Sequence, residues 1–179
     1  VNVETFEHAG LQVSIEYDDM PCNPREEFEQ FGRILYREGA RYTLGDEGAS
    51  PEDMAEIMKD PGKFALPVFA YIHGQTALSL GGFECPWDSG QSGIIYCDRG
   101  PDFDEEQARK IFAGELETFT DYLNGSVYAY TVSRETTCEH CGETKSETVY
   151  SCCGFYGLEY CTEEAKSAAE YAAREGAPE

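Results

Sequence analysis

Two thiols three positions apart with a glycine behind them, Cys138-Glu139-His140-Cys141-Gly142, are the residues of this chain best spaced to hold a metal. Paired thiolates at this spacing form half of a tetrahedral zinc site, and two readings stay open: a structural zinc, or a reduced or oxidised pair at a hairpin tip. The other half would have to come from Cys152, Cys153 or Cys161. A strand over residues 144–150 would span about 23 Å at roughly 3.3 Å per residue, carrying Cys152 and Cys153 away from the tip unless the chain bends. His73, Cys85 and Asp88 supply the residue types of a nucleophilic thiol site, in which an imidazole makes the thiolate and a carboxylate orients the imidazole. Residue types alone are also met by a buried thiol beside a hydrogen-bonded histidine at a strand end. Gly90-Gln91-Ser92-Gly93 is one residue short of a nucleophile elbow, and no Walker loop, dinucleotide fingerprint or H-E-x-x-H is present.

The segment Cys85-Pro86-Trp87-Asp88-Ser89-Gly90-Gln91-Ser92-Gly93 holds the single tryptophan. Gly90 and Gly93 admit positive φ, Asp88 and Ser89 can satisfy neighbouring amides, and Trp87 offers a large anchor. Two readings follow. The loop is locked beneath the core, or Trp87, Asp88, Ser89, Gly90 and Gln91 meet a ligand or partner.

The elements that position these residues are legible as patterns. Leu11, Val13, Ile15 and Tyr17 alternate with polar residues, the period of a half-buried strand. Residues 24–36 have helical spacing through Phe28, Phe31, Ile34 and Leu35, with Asn23 as N-cap and Pro24 in the first turn. Ser50-Pro51-Glu52-Asp53 opens a second helix by the same logic. Residues 66–73 and 92–98 read as buried strands, and residues 104–123 as the longest helix, ended by Asn124-Gly125. Residues 126–135 and 144–150 read as a hairpin around the Cys138–Cys141 loop, and 162–174 as a terminal amphipathic helix. The expectation is α+β: residues 1–175 as a single domain with a mixed, mostly antiparallel sheet and flanking helices, and 176–179 as a frayed tail.

Thirty-five Asp and Glu against 13 Lys and Arg give a net charge of −22. Nucleic-acid binding through broad phosphate neutralisation needs the opposite balance, and anionic membranes are disfavoured for the same reason. The charge is uneven: residues 1–60 carry −10, and residues 61–100, rich in Leu, Val, Ile and Tyr, only −1. The acids coat a neutral core. Glu4, Glu7 and His8 stand where a signal peptide needs basic then apolar residues, and no run of 18 apolar residues occurs, so the chain is expected in the cytoplasm.

Asn23-Pro24-Arg25-Glu26 with Gly32, Arg41-Tyr42-Thr43-Leu44-Gly45-Asp46, Pro86-Trp87-Asp88-Ser89-Gly90-Gln91 with Gly93-Ile94-Ile95-Tyr96, and Glu115 to Gly125 resemble a family of small proteins carried by bacteriophages and other mobile elements. The resemblance spans roughly residues 13–160 and departs at Cys153, where the pattern has an aromatic residue. It implies a genetic setting, with the host cytoplasm as the compartment, and brings no activity with it. Combined with the charge, it gives an expectation of a non-enzymatic inhibitor of a host DNA-binding defence protein, presenting carboxylates in place of phosphates. Asp18, Asp19, Glu26, Glu27, Glu29, Glu47, Glu52, Asp53 and Glu56 are the candidate partner-binding residues. A homodimer would extend such a face to the length of a DNA site. The alternatives are a small enzyme or ligand-binding protein using the Trp87 loop and His73, and an acidic surface adapted to high salt.

Overall fold

The computed structural model describes residues 1–101 and 104–175, so the expected tail at 176–179 lies outside the described residues. The α+β class holds, with strands pairing mostly antiparallel and helices flanking them. The chain divides into two compact units, Val1–Pro21 with Gly125–Glu179, and Cys22–Asn124, each built on its own sheet.

The first unit has strands β1 (Asn2–His8), β2 (Leu11–Tyr17), β8 (Val127–Thr137) and β9 (Thr144–Tyr156) in the order β1-β2-β8-β9, and helix α4 (Leu158–Glu175). Alternation in β2 sends Leu11, Val13 and Ile15 to one face, where they join Tyr128, Tyr130 and Val132 of β8. Helix α4 lays Cys161, Ala165, Ala169 and Ala172 on that face, all buried. Their spacing is one helix stripe, and alanine lets the backbone approach the sheet closely. Strand β1 was missing from the sequence reading because its burial is weak on both faces.

The second unit has β3 (Arg33–Arg37), β4 (Glu47–Ala49), β5 (Lys63–His73), β6 (Gln75–Ser79) and β7 (Ser89–Asp98) in the order β4-β3-β7-β5-β6. Helix α2 (Pro51–Lys59) starts as expected, with Ser50 Oγ accepting from the Asp53 amide at 3.1 Å. Helix α3 (Glu105–Leu123) has a complete capping box between Asp104 and Gln107. Successive residues of β3 and β7 face opposite ways: Ile34 and Ile95 pack under Phe112 and Leu116 of α3, while Leu35 and Ile94 pack with Met54 of α2. The two helices therefore cover opposite faces of the sheet.

The expected helix over 24–36 is corrected. Only α1 (Pro24–Glu27) forms, Phe28 is already extended, and Arg33 begins β3. The amides that would continue the helix are claimed elsewhere: those of Phe31 (2.6 Å) and Gly32 (3.1 and 3.2 Å) donate to the Glu115 carboxylate on α3. At the centre lies Arg25, its side chain 3% exposed. Its Nε and Nη2 bind Asp46 at 2.8 and 2.5 Å, Nη1 binds Glu115 at 3.1 Å and Gln30 at 2.9 Å, and Nη2 also donates to the Gly32 carbonyl at 2.6 Å. All five guanidinium protons are used. Burial acts to lower the Arg25 pKa, and the bonds and charges of Asp46 and Glu115 outweigh it, so the net shift is upward. Asp46 also accepts from the Ile34 amide at 2.7 Å, which ties the chain after residue 37 back to β3.

Neither Gly90 nor Gly93 takes the positive φ expected of it, and Gly93 serves a different purpose. It has no positive φ; a Cβ there would sit 1.9 Å from the Leu35 carbonyl oxygen. Two outcomes test this frame by thermal unfolding. Arg25→Ala leaves two carboxylates facing a hole and should cost about 3–5 kcal/mol, with Arg25→Lys recovering little because one ammonium cannot replace the fork. Gly93→Ala should break the β3–β7 pairing and cost more than about 4 kcal/mol; a variant as stable as the parent would refute the close approach.

Candidate functional site

The turn carrying Trp87 is braced from both ends. The Ile72 amide donates to the Asp88 carbonyl at 2.9 Å, and Ser89 Oγ donates to the Cys85 carbonyl. Asp88 Oδ2 accepts from the Cys85 thiol at 3.7 Å and lies 3.2 Å from His73 Nδ1. Trp87 stands at the apex of this braced turn, 91% exposed. The reading in which the loop is locked beneath the core is corrected: neighbours on either side are held, and the indole is pushed into solvent. A nucleophilic thiol requires the imidazole on the sulfur. Here the thiol's hydrogen bond goes to the Asp88 carboxylate, which also lies beside His73, so Asp88 links the two side chains.

Beside Trp87 runs a strap. Strand β3 reaches only as far as the pair Tyr36↔Gly93, so residues Ser89 to Ser92 of β7 continue with β5 as their single strand neighbour. Residues 38–46 leave the end of β3 and return at Asp46, where Arg25 holds them. Between this strap and the open edge of β7 lies a cavity of about 430 Å³ bounded by Arg37, Arg41, Tyr42, Trp87, Asp88 and Gln91. A second cavity of about 510 Å³, lined by Met54, Met58, Lys59 and Ile94, adjoins it and shares Arg37, Gln91 and Ser92. Arg41 lies 5.3 Å over the Tyr42 ring. Arg25, Arg33, Lys63, Arg99, Lys110 and Arg174 each have a carboxylate within 4.0 Å. Among the described residues seven have none, Arg37, Arg41, Lys59, Arg109, Arg134, Lys145 and Lys166, and the first three line these cavities. Sequence reading missed this grouping, because the three cations come from a strand end, a strap and a helix end. The one available signal was their location in a chain with so few basic residues.

The nine candidate acids divide between the two units. Asp18 and Asp19 belong to the first unit, where Asp18 accepts from the amides of Met20 at 2.9 Å and Gly154 at 3.0 Å. In the second unit Glu47 is paired with Arg33 at 2.5 Å, Glu26 accepts from Asn23 at 2.9 Å, and Asp53 accepts from Ser50 at 2.7 Å. Glu27, Glu29, Glu52 and Glu56 are exposed. Segment 26–29 follows Arg25, which is bonded to α3, whereas Glu52, Asp53 and Glu56 ride on α2 across the sheet.

Cys138 and Cys141 sit in the exposed turn between β8 and β9, closed by hydrogen bonds from Cys138 N to Glu143 O and Gly142 N to Cys138 O, both 2.8 Å. Cys152 pairs with Tyr130, far along the strands from the Thr137↔Thr144 rung at the tip. Among the described residues no three His, Cys, Asp or Glu side chains gather to hold a metal. The amides of Cys141 and His140 donate to the Cys138 sulfur, with the Cys141 thiol adding a further bond, and hold the Cys138 thiol below its usual value. Burial pushes Cys161 up to about 11, and burial also raises Cys97.

Comparison with protein-family profiles, with curated proteins and with solved structures finds no match. Among the described residues no helix is long and apolar enough to cross a membrane.

The thiols give a direct check. At neutral pH iodoacetamide should modify Cys138 well before Cys161 and Cys97 in the native protein, because the thiolate is the reacting form. Peptide mass spectrometry showing Cys161 labelled as fast as Cys138 would contradict the geometry.

Proposed function

We propose that the protein is a non-enzymatic binding protein, an accessory factor of a phage or mobile element acting in the host cytoplasm, whose contact surface is Trp87 with the strap of residues 37–42. The observation that carries this reading is the exposure of Trp87 on a braced turn. A large aromatic side chain in water gains nothing for the fold, whereas tryptophan and arginine together are the residues that dominate binding energy when a partner covers them. The bracing lowers the entropy lost on contact. Asp88 standing between His73 and Cys85 supports binding over thiol catalysis.

A second reading concerns the target. The exposed carboxylates of Glu27 and Glu29, beside Glu26, favour a basic partner, and a host DNA-binding defence protein engaged in place of DNA fits that chemistry. Both readings are separated in one assay: plating efficiency of unmodified phage on a restricting host that expresses the protein. Trp87→Ala should abolish protection while shifting stability by less than about 0.5 kcal/mol, as for other surface positions. Protection that survives Trp87→Ala and is lost in the Glu26→Lys, Glu27→Lys, Glu29→Lys triple variant would overturn the Trp87 reading and leave the carboxylates as the contact. Absence of protection by the parent protein against restriction and CRISPR systems alike would remove the defence target.

A further inference from the structure

We propose that the two adjoining cavities beside Trp87 form a nucleotide site, with a base against Trp87 and Tyr42 and a phosphate on Arg37 and Arg41; this rests on reading the Trp87 loop as the contact surface. Three observations converge on that chemistry. First, Arg37 and Arg41 have no carboxylate partner among the described residues, in a chain with 35 acids against 13 bases. Guanidinium forks match phosphate oxygens in geometry, and two on one wall can bind a dianion. Second, the same cavity carries two aromatic rings, Trp87 and Tyr42, exposed by 91% and 43%. Their π-faces suit a planar base and are indifferent to which base it is. Third, β7 runs past the end of β3, so the backbone from Ser89 to Ser92 presents an open strand edge beside these rings, with Gln91 exposed. Amides and carbonyls there can meet the polar edge of a base. The second cavity, with Met54, Met58 and Lys59, adjoins at Arg37 and gives room beyond the phosphate for a further sugar or base.

The class of ligand is narrowed by the charge of the whole chain. A net −22 repels a long polyanion, which would pass over many carboxylates, while a free nucleotide meets Arg37 and Arg41 with Asp88 as the carboxylate lining the same cavity. Duplex DNA and RNA are therefore disfavoured against mononucleotides or dinucleotides.

Trp87 is the only tryptophan, so its fluorescence reports this site alone. The full chain is titrated with AMP, GMP, CMP and UMP, with adenosine, and with inorganic phosphate, and calorimetry repeats the titration for variants lacking the indole. At least one nucleotide should change Trp87 emission saturably below about 1 mM. Adenosine and phosphate should each bind at least tenfold more weakly than that nucleotide. Arg37→Gln and Arg41→Gln should each weaken binding about tenfold, with thermal midpoints unchanged because both residues are exposed. Trp87→Phe should retain more affinity than Trp87→Ala. Phosphate binding as tightly as any nucleotide, or nucleotide affinity unaffected by both arginine changes, would overturn the proposal. If no nucleotide binds while Trp87→Ala still loses protection in the plating assay, the ligand class fails and the contact surface stands. If nucleotide binding is intact in Trp87→Ala and protection also survives, the contact surface itself fails.

Discussion

The unit from Cys22 to Asn124 depends on one buried guanidinium. Arg25 joins three stretches that sequence keeps apart: the segment after α1, the end of the strap at Asp46, and α3 at Glu115. A buried ion pair of this kind is costly to form in isolation and costly to break, because each partner left alone is a desolvated charge. Its value is geometric. With five protons directed at four acceptor groups, the buried Arg25 fixes where the strap returns at Asp46.

The basic residues of this acidic chain are disposed in two ways. Six of its basic residues are neutralised by adjacent carboxylates, one of them buried. Arg37, Arg41 and Lys59 are held where no carboxylate of the described residues reaches them. Placement of a few charges matters more here than their sum, since Coulomb energies of close groups exceed those of distant, screened ones.

Legibility in the sequence followed the range of the interaction responsible. Strand β2 and helix α3 were readable because a period of two, or an apolar stripe recurring at three- and four-residue steps, is local information. The stretch 28–35 imitated a helix through the spacing of Phe28, Phe31, Ile34 and Leu35. Yet Ile34 and Leu35 go to opposite faces of a sheet, and the helix is ended by Glu115, a residue no local window contains. The motif around Trp87 was visible as composition, but its exposure was not, because an indole is equally suited to a core and to a contact surface. Arg37, Arg41 and Lys59 were invisible as a group for the same reason: their meeting is a product of topology.

The pairing of β2 with β8 sets the order in which the chain can fold. Tyr17 pairs with Tyr128, and everything from Cys22 to Asn124 lies between them. Closing so long a flexible loop first would cost roughly 4 kcal/mol in chain entropy before any contact beyond it repaid the loss. The N-terminal hairpin, β1 with β2, pairs with a strand made more than a hundred residues later, and pairing of such long sequence separation slows folding.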